Sequence, residues 1–117
     1  MSSLVIAVEL KTIKKGKYVF KQGDESNSCF IIKSGEIAIE RTQDEKEQLL
    51  AVLKSPDIFG EIALIMSAPR NASALAITDA KLLAIPKDVF MDIMKENRTT
   101  SEELNILMIE RARPKRN

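Results

Sequence analysis

Short runs of alternating apolar and polar residues fill most of the chain before Pro86, and such runs are typical of β-strands. The first two runs flank Gly16, which predicts two short strands around a turn within residues 8–22. Five further strands are expected, at residues 29–33, 36–41, 49–53, 74–78 and 81–85. Many short strands joined by glycine and polar turns favour a sandwich or a barrel.

The polar segments between these runs predict the turns. In residues 36–41 the alternation places Ile37 and Ile39 on one half-buried face and charged residues on the other. Residues 42–48 are mostly charged and are expected to form a solvated hairpin loop. The Ser-Pro-Asp sequence at residues 55–57 predicts a turn that leads into the next segment.

After Pro86 the apolar spacing changes to that of a helix. An amphipathic helix is predicted for residues 87–96, where the apolar positions are Val89, Phe90, Ile93 and Met94. Thr100 followed by Glu103 is a capping box, which predicts the start of a second helix with an apolar stripe of Leu104, Leu107 and Met108. Two helices that meet at a polar joint can change their mutual angle.

Residues 59–73 combine a glycine, a short helical stretch and an arginine. Gly60 lacks a Cβ, so its backbone can approach a ligand, and a six-residue helix after it would present free N–H groups that favour phosphate. Pro69 is expected to stop that helix. Arg70 carries a fork of donors that suits paired phosphate oxygens, and Glu61 is suited to a sugar hydroxyl. The segment therefore predicts a pocket for a compact sugar phosphate.

The same segment resembles the phosphate-binding cassette of cyclic nucleotide-binding domains, which occur in protein kinase A regulatory subunits, catabolite activator protein and cyclic nucleotide-gated channels. The matching residues are Phe59, Gly60, Glu61, Ile62, Ala63, Leu64, Pro69, Arg70, Ala72 and Ser73. The resemblance implies an α+β, mainly β, fold: an eight-stranded antiparallel jelly-roll barrel, or double-stranded β-helix, with a short cassette helix and two C-terminal helices. It also implies that Glu61 binds the ribose 2′-OH, that Arg70 binds the cyclic phosphate, and that nearby backbone N–H groups complete the cradle.

The choice of base is expected to depend on residues beside this cradle. Asn71 stands where cAMP-selective kinase subunits usually carry alanine and cGMP-selective proteins carry threonine. Because it can donate and accept, contact with guanine and contact with the phosphate alone both stay open. The ligand favoured is cAMP, with cGMP as the alternative. In the resembling family the last helix can cap the base, and the candidates here are Ile106, Ile109, Arg111 and Arg113; for the apolar ones, packing on the barrel or on a second copy is the alternative. The predicted ligand-binding residues are Phe59, Gly60, Glu61, Ile62, Ala63, Arg70, Asn71, Ala72, Ser73, Leu53 and Val52.

Composition narrows the function further. One domain is expected over residues 1–117, with the barrel in 1–85 and the helices and basic tail in 86–117. Eighteen basic and seventeen acidic residues give a net charge of +1, so neither nucleic acid nor a membrane is an expected partner.

The chain has no histidine, which excludes the usual zinc sites and histidine-based catalytic triads, so no metal and no catalytic residue are predicted. The single cysteine, Cys29, lies in an apolar run and is expected to be a buried, inert thiol in a cytoplasmic protein.

The sequence thus predicts a non-catalytic regulatory module that binds a cyclic purine nucleotide, uses no other cofactor and switches its C-terminal helices. Two alternatives stay open. The first is a barrel that has lost its ligand and that dimerises, or binds another protein, through the C-terminal helix. The second is an enzyme on a cupin-type barrel, which would be expected to carry metal-binding histidines.

Overall fold

The computed structural model describes residues 8–97, except for the side chains of Glu96 and Asn97, and this part of the chain is mainly β. The strands are β1 (Glu9–Ile13), β2 (Tyr18–Phe20), β3 (Ser28–Ser34), β4 (Glu36–Gln43), β5 (Lys46–Lys54), β6 (Ile58–Phe59), β7 (Ser73–Ala76) and β8 (Ala80–Pro86). The helices in these residues are α1 (Glu61–Met66), which follows β6, and α2 (Lys87–Asn97), which follows β8. The predicted second C-terminal helix lies outside the described residues.

The eight strands form two sheets of four, and every pairing between them is antiparallel. The strand order is β1-β8-β3-β6 in one sheet and β2-β7-β4-β5 in the other. Strands from the two ends of the barrel sequence therefore lie side by side, as β1 with β8 and β2 with β7. The predicted eight-stranded antiparallel jelly roll is confirmed.

Two apolar clusters fill the fold, one on each face of the β3–β8 pair. The inter-sheet cluster consists of Phe30, Ile32, Ile37, Phe59, Ala74, Ala76, Ala80, Leu82 and Ala84. The helix-side cluster consists of Cys29, Ile31, Leu64, Leu83, Ile85, Val89, Phe90 and Ile93. Because β3 and β8 are covered on both faces, their sequences are nearly continuous apolar runs. The predicted amphipathic helix is also confirmed, since α2 packs its apolar stripe into the helix-side cluster.

The β4–β5 hairpin is longer than predicted. The expected loop at residues 42–48 is wrong, because β4 continues to Gln43 and β5 begins at Lys46. Only Asp44 and Glu45 connect them, with φ of 55° and 64°. Positive φ at both central residues is the pattern of a type I′ turn, whose twist matches that of the flanking strands. Of the charged residues in this segment, Asp44 and Glu45 form the turn, and Lys46 and Glu47 begin β5, the edge strand of its sheet.

Among residues 8–97 no helix has the length and apolar character needed to cross a bilayer.

Candidate functional site

The first turn of α1 starts from a glycine in the left-handed conformation. Gly60 has φ of 84°, and no side chain caps the helix. A Cβ at this position would lie 2.9 Å from Nη1 of Arg70 and 3.4 Å from Cε2 of Phe20. Position 60 therefore needs glycine for two reasons, its backbone conformation and the closeness of the arginine.

Arg70 is a buried cation next to this glycine, with only 5% of its surface exposed. Its Nη1 donates to the Gly60 carbonyl oxygen at 2.7 Å, and its Nη2 donates to the Ser28 carbonyl oxygen at 2.5 Å. The guanidinium carbon stands 4.0 Å from the centre of the Phe20 ring, in cation–π contact. Its Nε has no hydrogen-bond partner, and no carboxylate among residues 8–97 forms an ion pair with it. Two of its five N–H donors are used in the hydrogen bonds found among the described residues.

The loop that carries Arg70 is fixed by main-chain bonds to the loop after β2. The N–H of Arg70 donates to the carbonyl of Asp24, and the N–H of Gly23 donates to the carbonyl of Arg70, both at 2.8 Å. The helix before this loop ends earlier than the expected proline stop, because Ser67 takes a left-handed conformation with φ of 52°. Both backbone polar groups of Arg70, its N–H and its carbonyl, are therefore held by hydrogen bonds, which fixes the position from which its side chain starts.

Glu61 is the first residue of α1, and its side chain is half-buried. Burial raises the pKa of Glu61, and a hydrogen bond with its own backbone N–H lowers it in part. A carboxylate in the first turn of a helix is also favoured by the helix dipole. No ion pair to Glu61 is found in the described part of the chain, so its oxygens can accept from a hydroxyl group.

A cavity of about 210 Å³ joins these groups. It is lined by Phe20, Ile39, Ile58, Phe59, Gly60, Glu61, Ile62, Ala63, Arg70, Asn71 and Ala72. Eight of the eleven residues predicted from the sequence are in this set. The charged end is formed by Glu61 and Arg70, and the apolar side chains make up the remaining wall.

The structure does not bring the other three predicted residues to the cavity. Ser73 accepts a hydrogen bond from the N–H of Gln22 at 2.8 Å. Leu53 packs against the inter-sheet cluster. Val52 pairs with Ala38, and its side chain is 47% exposed.

Sequence reasoning missed three lining residues, namely Phe20, Ile39 and Ile58. Ile39 had a signal, since its strand alternates and its face was expected to be buried. Phe20 and Ile58 had no such signal, because they reach the cavity only when β2 and β6 join different sheets. The ring centres of Phe20, Phe30 and Phe59 lie 5.4 to 6.0 Å apart, so the three rings pack against one another beside the cavity.

Cys29 lies in β3 beneath the site and is fully buried. Burial raises the pKa of Cys29 to about 12, with a smaller contribution from the charge of Glu61. The predicted burial of this thiol is confirmed. Among residues 8–97 there is no group of three or more cysteine, aspartate or glutamate side chains that could hold a metal ion.

The jelly roll and the cavity beside α1 correspond to a known family. A family model described as "Cyclic nucleotide-binding domain" matches residues 10–97. The chain belongs to the cyclic nucleotide-binding domain family, and the resemblance noted from the sequence is confirmed.

Individual relatives agree with this assignment. The chain is 31% identical over 100 residues to the "Cyclic AMP receptor protein" of Thermus thermophilus, which covers 85% of this chain and 46% of that protein. It is 30% identical over 93 residues to "cGMP-dependent protein kinase 2" of Homo sapiens, which covers 80% of this chain and 12% of the kinase. The chain therefore spans about half or less of the length of these relatives.

Solved structures share the fold. The crystal structure of the Thermus thermophilus catabolite activator protein matches with a TM-score of 0.76 and 27% identity, over 94% of this chain and 52% of that one. The cAMP-bound and cGMP-bound forms of the EAL enzyme Bd1971 each match with a TM-score of 0.68, at 31% and 32% identity, over 86% of this chain and 26% of those chains.

Proposed function

We propose that this chain is a cytoplasmic, non-catalytic regulatory module that binds a cyclic purine nucleotide and needs no metal or other cofactor. The observation that carries the proposal is Arg70, a buried cation with unused donors and no carboxylate partner among residues 8–97. A buried charge without a counter-ion is unfavourable, and a phosphate in the cavity would offset that cost. Named relatives that bind cAMP and cGMP support the same ligand class.

The two ends of the cavity suit the two ends of such a ligand. The cyclic phosphate would accept from Arg70 and from backbone N–H groups at the start of α1. The ribose 2′-OH would donate to Glu61. The small side chains of Ala63 and Ala72 leave room for the sugar to approach the backbone, and the apolar wall that includes Ile39 suits the face of a purine.

We also propose that binding acts on the helices after the barrel. The short helix α1 borders the cavity and exposes three apolar side chains, with 58% of Ile62, 43% of Ile65 and 68% of Met66 accessible. A nucleotide beside α1 would extend this apolar edge, which favours the arrangement in which the segment after α2 covers it. The ligand shifts the equilibrium only as far as it binds one arrangement better than the other.

A nuclear magnetic resonance experiment tests the switch separately from the site. Backbone amide signals of residues 87–113 are expected to shift on saturation with the nucleotide. The signals of β1, which lies at the opposite edge of its sheet from β6, serve as the internal reference. If the cavity signals move and those of residues 87–113 do not, the module binds without switching.

The direct test of binding is a thermal-shift screen of the full chain with cAMP, cGMP and cyclic dinucleotides. A ligand at about 100 times its Kd stabilises the folded state by about 2.7 kcal/mol, enough for a clear rise in Tm. Linear 5′-AMP serves as the control, because its phosphate is not cyclised to the sugar. A chain that none of the cyclic nucleotides stabilises would contradict the proposal.

One observation favours the alternative of an interaction module. On the outer face of the sheet β2-β7-β4-β5, register places Tyr18 next to Leu75, Leu75 next to Ala38, and Ala38 next to Val52. Tyr18 is 41% and Val52 47% exposed, whereas Ala38 between them is buried, so the two ends of this apolar row are open to contact. Analytical ultracentrifugation with and without cAMP separates the two functions: a dimer that forms regardless of nucleotide favours the interaction module.

A further inference from the structure

A second arginine lies close to the cavity without a partner. Arg41, in β4, has an Nε that is buried and lacks a hydrogen bond. Its side chain forms no hydrogen bond or ion pair within residues 8–97. A buried donor without an acceptor costs free energy. An acceptor outside residues 8–97, such as a bound ligand, would offset this cost for Arg41.

The register of the sheet shows which way Arg41 points. In the β4–β7 pair, Ile39 lies opposite Ala74 on the face that packs into the inter-sheet cluster. Side chains alternate along a strand, so Arg41 is on the same inner face. The β4–β7 pairing ends with Glu40 opposite Ser73, so Arg41 directly follows the last paired residue of β4 and Ala72 directly precedes that of β7. Ile39 and Ala72 both line the cavity; Arg41 is not itself a lining residue and lies two positions beyond Ile39 along β4, next to the apolar part.

The backbone on the far side of Arg41 is held firmly. Strand β7 begins at Ser73, so Thr42, which follows Arg41 in β4, has no β7 residue as a partner. The side-chain amide of Gln22 takes that place: Nε2 donates to the Thr42 carbonyl at 3.2 Å, and Oε1 accepts from the Thr42 N–H at 2.8 Å. The arginine is thus presented from a fixed strand, although its tip is unpaired.

No carboxylate neutralises the guanidinium from its own face. The residue opposite Arg41 on β5 is Gln48, a neutral amide. The nearest acidic residues along the ladder are Glu40 and Glu47; Glu40 precedes Arg41 and Glu47 pairs with Thr42, so both belong to the opposite face. The inner face at this end of the cavity therefore offers a positive fork of donors.

We propose that Arg41 binds the O6 and N7 atoms of the purine and gives the site a preference for guanine over adenine. This inference rests on the proposed function. Guanine presents two adjacent acceptors on that edge, which match two donors of a guanidinium, whereas adenine presents one acceptor and an amino group that also donates. The preference is opposite to the one for cAMP that was expected from the sequence.

The test compares three nucleotides by titration calorimetry on the full chain: cGMP, cIMP and cAMP. Cyclic IMP keeps O6 and N7 but lacks the 2-amino group, so it separates contacts to this edge from a contact of Asn71 to the amino group. We expect cGMP and cIMP to bind with similar affinity, each about tenfold more tightly than cAMP.

The outcomes distinguish this inference from the function on which it rests. Equal or tighter binding of cAMP overturns the guanine preference and leaves the cyclic nucleotide site standing. Tight cGMP with weak cIMP shows that the 2-amino group is read, which also overturns the role of Arg41. If none of the three binds, both proposals fall.

Variants assign the preference to the residue. Arg41→Gln is expected to weaken cGMP and cIMP about tenfold and not to weaken cAMP, because a glutamine side chain can pair with the N6 and N7 atoms of adenine. Arg41→Lys keeps the charge without the planar fork, so it should also lose most of the discrimination and serves if the first variant fails to fold. Lys46→Gln removes the same charge from an exposed position of the same hairpin and should change nothing. An equal loss for all three nucleotides in Arg41→Gln, or an equal effect of Lys46→Gln, overturns the inference.

Discussion

Arg70 and Arg41 each have a buried Nε without a hydrogen bond, yet their surroundings differ. Arg70 is almost completely enclosed, donates to two main-chain carbonyls and stands over an aromatic ring. Arg41 is half-buried, and its tip contacts no partner in the described part of the chain. The first arginine is part of the fold, so changing it should alter stability and binding together. The second should alter selectivity alone.

The largest effect is expected for Arg70→Ala. Removing one partner of a desolvated charge pair costs roughly 2 to 5 kcal/mol, so cyclic nucleotide affinity should fall by more than about tenfold. The carbonyls of Gly60 and Ser28 lose their donor, so the free energy of unfolding should also fall by about 1 to 3 kcal/mol. Titration calorimetry and urea unfolding measure the two losses. Wild-type affinity in this variant would refute the phosphate role.

A pair of glycine substitutions tests the scaffold around Arg70. Gly60 and Gly16 have φ of 84° and 87°, so alanine at either position should cost about 1 to 2 kcal/mol of backbone strain. Only at Gly60 would the new Cβ meet the arginine, since nothing lies within 4 Å at Gly16. Gly60→Ala should therefore weaken nucleotide binding, and Gly16→Ala should lower stability without changing affinity. Equal affinities in the two variants would show that the contact with Arg70 is unimportant.

Glu61→Gln probes the sugar end of the cavity. A hydrogen bond to a charged group contributes about 1.5 to 3 kcal/mol, so affinity for the ribonucleotide should fall about tenfold or more. The 2′-deoxy nucleotide should bind the variant and the wild type equally, because the hydroxyl that Glu61 accepts from is missing. If the deoxy nucleotide shows the same loss in the variant, the carboxylate acts elsewhere on the ligand.

The same residue predicts a pH effect on the free protein. Burial raises the pKa of Glu61 in the folded state above its unfolded value. The folded state therefore holds the proton more tightly, and stability from this group is present at acidic pH and lost as pH rises through the folded pKa. Glu61→Gln should raise Tm slightly at pH about 7 and leave it unchanged at pH about 4. A variant that is less stable than the wild type at neutral pH would contradict this sign.

The smallest effects concern the base. Ile39 lines the cavity, and Ile39→Val removes one methylene, which corresponds to about 0.8 kcal/mol or about fourfold in affinity if the base contacts it. Val52 is exposed on the outer face, so Val52→Ser should leave affinity unchanged. If Val52→Ser lowers affinity and Ile39→Val does not, the base contacts β5, as predicted from the sequence, and not β4, the strand that carries Arg41.

The sequence was most informative where function constrains consecutive residues. Gly60, Glu61 and Arg70 belong to one short segment, so their spacing alone predicted the charged end of the cavity. The apolar wall could not be predicted in the same way, because Phe20 and Ile58 come from strands in different sheets and meet only after the barrel closes. Val52 and Leu53 illustrate the limit: the pattern identified an apolar strand, but not which of its side chains would face inward.

The fold was predictable to a similar degree. Buried strands such as β3 are continuous apolar runs and were placed within one residue at each end. The β4–β5 hairpin was misjudged because its distal strands are exposed on both faces, where hydrophobicity carries no information about extended structure. Its turn, Asp44–Glu45, also lacks the glycine or asparagine that usually marks a type I′ connection.

The state of Cys29 has a practical consequence for building a reporter from this domain. Thiol-directed dyes react with the thiolate, and a fully enclosed sulfur with a pKa of about 12 presents almost none near neutral pH. A cysteine introduced at an exposed site, such as Ile62→Cys on α1, would then be the preferred attachment point for a fluorophore. Nucleotide-induced changes in emission could be recorded without first removing the native sulfhydryl.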